Sequence, residues 1–384
     1  MKQAKPSRLL RVLCGVLVIG SAVAPAAQQP RFDDVIRNLR NPDPKVRLAA
    51  VQLLRESKYP EAIGPLAPLV NDPIDQIQLE AIAAELSFFL VQDVPSKKRV
   101  GFLVEVRNPG RAPVAFEMGP LAVLPRPVPS DLIENLLKAV DDENAKVRSE
   151  AIYAFGTIVP PPAPESTIPA LIKAVNDSQS PVRYAAMRAL GEIHDRRAVQ
   201  ALTEQFNFYG KGEGAWSALD ALAHLADPAS VPIFKAHLAD RDPFLRRASA
   251  EGLARVGDTS EVPALEIGAG NDSSEMVRAA MAFALQKLGR NYIPRLVESL
   301  DSDKDAPQAA AYLIELGPSI SSELVPLLQD PSPAIRANVA TVLGAVGGDA
   351  AVAALQPLAQ DKDRTVAQAA ARALERINST AATK

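Results

Sequence analysis

The chain has 384 residues, 47% hydrophobic and 23% charged, enough to bury a sizeable core and too apolar for a disordered polypeptide. Lys and Arg number 42 against 45 Asp and Glu, a net charge of -3, so no basic excess marks a nucleic-acid binder. The single cysteine excludes an intrachain disulfide framework or a Cys-based zinc site, and the 33 prolines stand well above the usual share of roughly 5%.

Residues 1–26 have the order of a secretory signal peptide. Lys2, Lys5, Arg8 and Arg11 precede an uncharged apolar run from Val12 to Ala24, and Ala24-Pro25-Ala26 supplies small residues for cleavage. Ala22-Val23-Ala24 is a second cleavage candidate, and an uncleaved signal anchor is the alternative reading. Cys14 follows Leu13 near the start of the apolar run, not a small residue at its end, so it is an ordinary residue of that run and not a lipid-attachment site. Cleavage after Ala26 removes four basic and no acidic residues, leaving 38 basic against 45 acidic, a net charge of -7, and no cysteine. That suits an oxidising compartment, periplasmic or extracellular. No stretch of the mature chain approaches the ~20 apolar residues of a membrane span.

Beyond residue 27 the chain repeats itself. An acid-rich turn, an aliphatic residue, an arginine and an alanine-rich run appear first as Asn41-Pro42-Asp43-Pro44-Lys45-Val46-Arg47. The arginine recurs as Arg148, Arg183, Arg246, Arg278 and Arg336, and a last copy, Asp361 to Val366, has Ala367 in its place. Spacings of 35, 63, 32 and 58 between the later arginines are one or two periods of about 31, with degenerate copies near Ala215 and Ala306 and a weak one after Asp72. After Arg183, Ala186, Ala189, Leu190 and Ile193 form one apolar face with helical spacing, and Arg278 and Arg336 are followed by the same offsets. Each unit is therefore two helices. The second ends at a glycine stop such as Gly257-Asp258 or Gly347-Gly348-Asp349. The first opens on a proline, as at Pro169, Pro232, Pro263 and Pro294. Pro68, Pro326 and Pro357 fall inside first helices and predict kinks there.

The period and the Asp…Val-Arg-x-x-Ala-x-x-x-Leu-Gly pattern resemble HEAT repeats, and among them the short phycobilisome-lyase type, over residues 33–90 and 131–378. The resemblance implies an all-α solenoid: a superhelix of about nine to ten helix pairs whose second helices line the concave face. One pair cannot bury its apolar face alone, so each neighbour supplies the core. The expected organisation is a signal at 1–26, repeats at 27–90, an insertion at 91–130, the main array at 131–378 and a disordered tail at 379–384. The insertion carries seven prolines, and Val100–Val106 and Ala112–Phe116 flank Asn108-Pro109-Gly110 like the arms of a β-hairpin or protruding loop. Val159 to Pro164 is a shorter, stiff connector.

No motif for chemistry emerges. There is no Walker, Rossmann or Gly-x-Ser-x-Gly signature. Gly210-Lys211-Gly212-Glu213-Gly214 lacks a following Ser or Thr and suggests a flexible loop in place of one repeat turn. HEAT-like deoxyhypusine hydroxylases use His-Glu dipeptides, and this chain has none: His194, His224 and His237 are scattered, so no metal or cofactor is expected. The acidic balance argues against the DNA groove of HEAT-like glycosylases. The glycosylation sequons at Asn176 and Asn271 are the repeat's own turns. The recurring arginines could form an anion-binding ladder. A cation at a helix start opposes the macrodipole, however, and a repeated Asp–Arg pair tying turn to helix accounts for them better.

Counting from the arginine position, offsets +1 and +5 are expected to face away from the core. These rows contain Ser149, Tyr184, Trp216, Arg247 and Ala279, then Tyr153, Arg188, Asp220, Glu251 and Phe283. Tyr153, Tyr184, Arg188, Trp216, Arg247, Glu251 and Phe283 are accordingly the expected partner-binding stripe, rich in the residue types of interface hot spots. The expected function is a non-enzymatic exported scaffold for a protein or peptide. The resemblance also implies two alternatives, a tetrapyrrole-binding protein of the phycobilin-lyase kind and an oxidoreductase of the hydroxylase kind.

Overall fold

The computed structural model describes residues 31–90 and 126–381, and the signal-like segment and the possible hairpin lie outside them. The described residues form ten helix pairs. They are α1 (Phe32–Asn38) with α2 (Pro44–Ser57), α3 (Ile63–Leu66) with α4 (Asp75–Phe89), and α5 (Ser130–Ala139) with α6 (Ala145–Ile158). Next come α7 (Thr167–Ala174) with α8 (Ser180–Ile193), α9 (Ala198–Tyr209) with α10 (Gly212–Leu225), and α11 (Val231–His237) with α12 (Pro243–Val256). The last four are α13 (Val262–Asn271) with α14 (Glu275–Lys287), α15 (Ile293–Glu298) with α16 (Ala306–Leu316), α17 (Ser321–Leu324) with α18 (Pro333–Val346), and α19 (Asp349–Leu355) with α20 (Arg364–Ala381). This is an all-α solenoid. No helix among the described residues is long and apolar enough to cross a membrane.

The repeat turn explains why each second helix starts where it does. Asp43, Asn144 and Asp242 cap α2, α6 and α12 by accepting the backbone N–H two residues on, and Pro44, Pro243 and Pro333 occupy first helical positions. Gly257 ends α12 at φ +82°, and Asp258 N–H then reaches back to the Leu253 carbonyl at 2.9 Å. The internal prolines do more than kink their helices. At Pro68, Pro326 and Pro357 the first helix gives way to 3-10 segments, Ala67–Asn71, Val325–Gln329 and Pro357–Gln360, because proline cannot donate the α-helical hydrogen bond.

Each second helix packs on the next, α2 on α4 through α18 on α20. The stack passes from α4 to α6 without a break although residues 91–125 intervene in sequence. Gln78 Nε2 donates to Asp142 at 2.8 Å, Asn144 Nδ2 to Asp75 at 2.6 Å, and Asn71 Nδ2 to the Asn135 carbonyl at 3.0 Å. Seven residues after the arginine position, Leu54, Phe155, Leu190, Leu222, Leu253, Leu285 and Leu343 are all at most 1% exposed. In the second pair that position is Glu85, 0% exposed, and neither carboxylate oxygen has a hydrogen-bond partner. Burial holds its carboxyl well above the usual carboxylate range. One residue further on, glycine lets neighbouring helices touch: a Cβ on Gly156 would lie 2.7 Å from that of Ala189, and one on Gly344 2.5 Å from that of Ala373.

Two expectations about the ends of elements change. The last helix runs to Ala381, into the stretch expected to be a tail. The glycine-rich segment at 210–214 is a built turn and not a flexible loop. Gly210 takes φ +64° to end α9, α10 begins at Gly212, and a Cβ on Gly214 would lie 2.3 Å from the ring of Tyr209.

Candidate functional site

The recurring arginines bind across units, which the sequence alone did not give. Arg148 Nε and Nη2 form a fork on Asp177, the first acid of the next turn, at 2.8 and 2.9 Å. Its Nη1 donates to the carbonyls of its own turn, Asp142 at 2.8 Å and Glu143 at 3.1 Å. Arg47 with Asp72, Arg246 with Asp272 and Arg336 with Asp361 repeat this arrangement. Each acceptor aspartate also takes a backbone N–H two residues on, as Asp177 does from Gln179. Burial pushes the Asp177 carboxyl up, but the Arg148 fork and the Gln179 N–H more than reverse this and hold it below its ordinary value. The expected Asp–Arg tie is thus a ladder running from each unit to the next. Both fork nitrogens and the turn carbonyls are engaged, so these arginines offer little to an external anion.

The ladder is interrupted in the middle of the array. Unit five has no turn aspartate, and Arg183 Nε donates to the Tyr209 hydroxyl at 2.6 Å instead. Unit five also has Ala215 in the arginine slot, and the neighbouring Trp216 donates its indole N–H to the cap residue Asp242 at 2.7 Å. Arg278 turns to Glu275, which also accepts from Arg295.

Over these same units the second helices carry a continuous charged row. Arg247 on α12 donates to Asp220 on α10 and to Glu251 one turn along, each at 2.7 Å. Glu251 also accepts from Arg255 at 3.1 Å and from the Tyr312 hydroxyl of α16 at 2.5 Å. Arg255 then forks onto Glu315 of α16 at 2.9 and 2.8 Å. The Phe283 ring of α14 stacks on Tyr312 at 4.5 Å between centroids. Side chains of α12 and α16 therefore meet across the intervening α14, which requires the row to lie on the inside of the bend. Burial opposes charge throughout. The Arg247 guanidinium is nevertheless held well above its ordinary value by Glu251 and Asp220, and burial with Glu251 close by drives the Tyr312 hydroxyl well above its own. Burial raises the Asp220 carboxyl, but Arg247, His224 and Arg255 together more than reverse this and leave it below its ordinary value.

Towards the N-terminal side the row opens. His224 Nδ1 lies 3.3 Å from Glu192 of α8. Arg188 stands exposed with its guanidinium 5.2 Å from the centroid of the Tyr153 ring. Tyr153, Gly156, Thr157, Ala185, Arg188, Ala189 and Glu192 line a shallow cleft of about 10 Å³. That is below the ~300–1,000 Å³ usual for small-molecule sites.

The expected partner stripe lands on this row, but mostly not at its surface. Arg188 is exposed and Tyr184 half-buried, whereas Tyr153, Trp216, Arg247, Glu251 and Phe283 are between 0% and 7% exposed. Small residues bring the second helices so close that their +1 and +5 side chains cover one another on the inside of the bend. Trp216 packs at 4.2 Å between centroids on Phe244 of the next unit. Sequence reasoning missed Glu192, His224, Arg255, Lys287, Tyr312 and Glu315. Offset +9, where Glu192, His224, Arg255 and Lys287 all fall, carried the signal that would have found four of them.

Asp220, His224 and Glu251 bring potential ligand atoms within 4.8 Å of one another. Both Glu251 oxygens already accept from guanidinium groups, and Asp220 accepts from a third N–H, so a divalent ion would be set against Arg247 and Arg255. The donor set is that of a charge network and does not fit a resident metal.

Stacked helix pairs with an inter-unit polar ladder define an α-solenoid repeat protein. The HEAT-repeat family model matches residues 133–207, 212–286 and 321–384, more than half of the chain. The chain belongs to the HEAT-repeat family. Human deoxyhypusine hydroxylase in complex with glycerol aligns at 20% identity over 64% of this chain and 96% of that one, with a TM-score of 0.31. An engineered protein aligns at 19% identity over 90% and 98%, with a TM-score of 0.38. The complex of CpcE and CpcF of phycocyanin lyase from Nostoc sp. PCC7120 aligns at 19% identity over 67% and 96%, with a TM-score of 0.40. No curated protein matches the chain.

Proposed function

We propose that this chain is a non-enzymatic, exported scaffold that holds a protein or peptide along the inside of its solenoid. The row of polar and aromatic side chains on α6, α8, α10, α12, α14 and α16 carries this reading. It runs continuously over six units, and its rims keep Arg188, Glu192, Lys287 and Glu315 partly or fully accessible. A solenoid supplies this kind of extended concave surface, suited to a long, shallow ligand. The small volume of the cleft beside Arg188 favours a polypeptide over a tetrapyrrole. The basic-then-apolar order of residues 1–24 supports export.

Site-specific photocrosslinking tests the reading. A crosslinker is placed at Arg188 or Lys287 on the inner row, and at Phe208 or Ile267, which are exposed on the first helices α9 and α13. The expected result is a discrete adduct in envelope extract from the inner positions, the one from Lys287 lost on Arg188→Glu, and none from the outer ones. Equal adducts from all four positions, or from the outer pair alone, would overturn it.

A further inference from the structure

We propose that His224 is a pH-sensitive latch on the inner face, its imidazolium tying α8, α10 and α12 together and releasing them when it loses its proton. Three carboxylates from three consecutive second helices surround the ring. Glu192 of α8 is 3.3 Å from Nδ1. Asp220, one turn earlier on α10, and Glu251 of α12 each place an oxygen within 4.8 Å of an imidazole nitrogen. An imidazolium has two N–H donors for these acceptors. A neutral imidazole has one donor, and it turns a lone pair towards carboxylates.

The remaining charges around the ring are specific. Arg255 of α12 opposes the imidazolium, but its guanidinium is already spread over Glu251 and Glu315. Arg247 is held by Asp220 and Glu251, and Lys287 of α14 lies 3.5 Å from Glu315 of α16. Arg188 of α8 sits over Tyr153 and beside Glu192. On the far side of α10, the one charged residue of α9 is Glu204, exposed and bonded to Gln200. Burial and Arg255 pull the imidazole value down, and the carboxylates of Glu192 and Asp220 more than offset them, leaving it above its ordinary 6.5. Burial raises the Glu192 carboxyl, and the His224 contact brings it down to about 2.

The signs follow from these shifts. The histidine's contribution is complete below 6.5 and is lost as pH rises through its higher folded value. The Glu192 contribution is complete above 4.5 and is lost as pH falls towards about 2. The latch is therefore closed in mildly acidic to neutral solution and opens on the alkaline side. If a partner occupies the inner face, its hold would change over the same range, but the latch itself can be tested without one.

The test uses the full chain and proton NMR of its three histidines, assigned with His224→Gln. His224 should titrate above 6.5, and Glu192→Gln should lower its midpoint. Hydrogen exchange in α8 and α10, corrected for intrinsic rates, should show protection falling between pH 6 and 8.5. The fall should be up to about tenfold for each pKa unit by which the folded value exceeds the free one. His224→Gln should abolish this fall. A wild-type midpoint at or below 6.5 would overturn the proposal without recourse to any variant. So would a midpoint unmoved by Glu192→Gln, or the same loss of protection in His224→Gln.

Discussion

Replacing Arg148 with methionine tests whether the polar ladder joins units or merely decorates turns. The substitution keeps the aliphatic stem and removes four hydrogen bonds. Two run to Asp177 in the next unit and two to carbonyls of the arginine's own turn. The Asp177 carboxylate is left with the Gln179 N–H and little water, since the two side chains of the pair are only 15% and 14% exposed. Removing one partner of a buried pair costs about 3–5 kcal/mol, and this residual exposure places the loss near 3 kcal/mol. Asp177→Asn keeps the backbone cap and loses the charge, so it should cost less. The double variant should fall short of the sum by about 2 kcal/mol, the signature of a direct pair. Urea unfolding followed by circular dichroism gives the totals. Hydrogen exchange localises the loss, which should fall on the α6–α8 interface because solenoid coupling is nearest-neighbour. The pair also has an acid limb. Asp177 is held below 3.8, so its contribution is present above that value and disappears as pH falls through the lower folded value. Arg148→Met should flatten that limb. A cost below about 1 kcal/mol, or strict additivity with Asp177→Asn, would refute the ladder as a source of inter-unit stability.

Gln78→Arg should raise stability by about 1 kcal/mol in the same assay, since it gives Asp142 a charged fork in place of the single bond from Gln78 Nε2. Glu85→Leu should stabilise by about 2 kcal/mol or more at neutral pH, restoring the core residue of the other units and removing a carboxyl with neither oxygen paired. Because the Glu85 carboxyl is raised on folding, wild-type stability should decline as pH rises above 4.5, and the leucine variant should lose that slope in a thermal-unfolding series. Gly156→Ala should destabilise by roughly 1–2 kcal/mol despite a better helix propensity, because its Cβ meets Ala189 at 2.7 Å. Gly64→Ala, with nothing within 4 Å, should be neutral or gain up to about 1 kcal/mol.

The helix pairs were legible because burial alone sets their pattern: apolar offsets repeat every 31 residues or so, and glycine and proline mark the ends. The direction of the ladder was not, because the turn aspartate stands six residues before an arginine in sequence while the bond runs forward to the following turn. The inner row was placed on the correct helices but judged exposed. Helical periodicity tells which way a side chain points, not how close the next helix comes. Arg255 and Glu315 are 60 residues apart, two units along, and no one-unit pattern could pair them.

The two polar systems are complementary. Where the ladder holds, as from Arg148 to Asp177, the fork at the turns adds to the close packing of the second helices, here α6 on α8. Between units four and six and between units seven and nine the turn aspartate or the arginine is missing, with Arg246–Asp272 the one intact rung between them, and over this stretch the inner face carries Asp220, Arg247, Glu251, Arg255, Tyr312 and Glu315 in one connected network. A ladder at the turn edge fixes spacing there and leaves the opposite face free to spread. A network on the inner face draws alternate helices together, α12 to α16, and so sets curvature instead of spacing. Towards the N-terminal side the inner network reaches His224, which faces Glu192, Asp220 and Glu251, and there the charge balance depends on a proton.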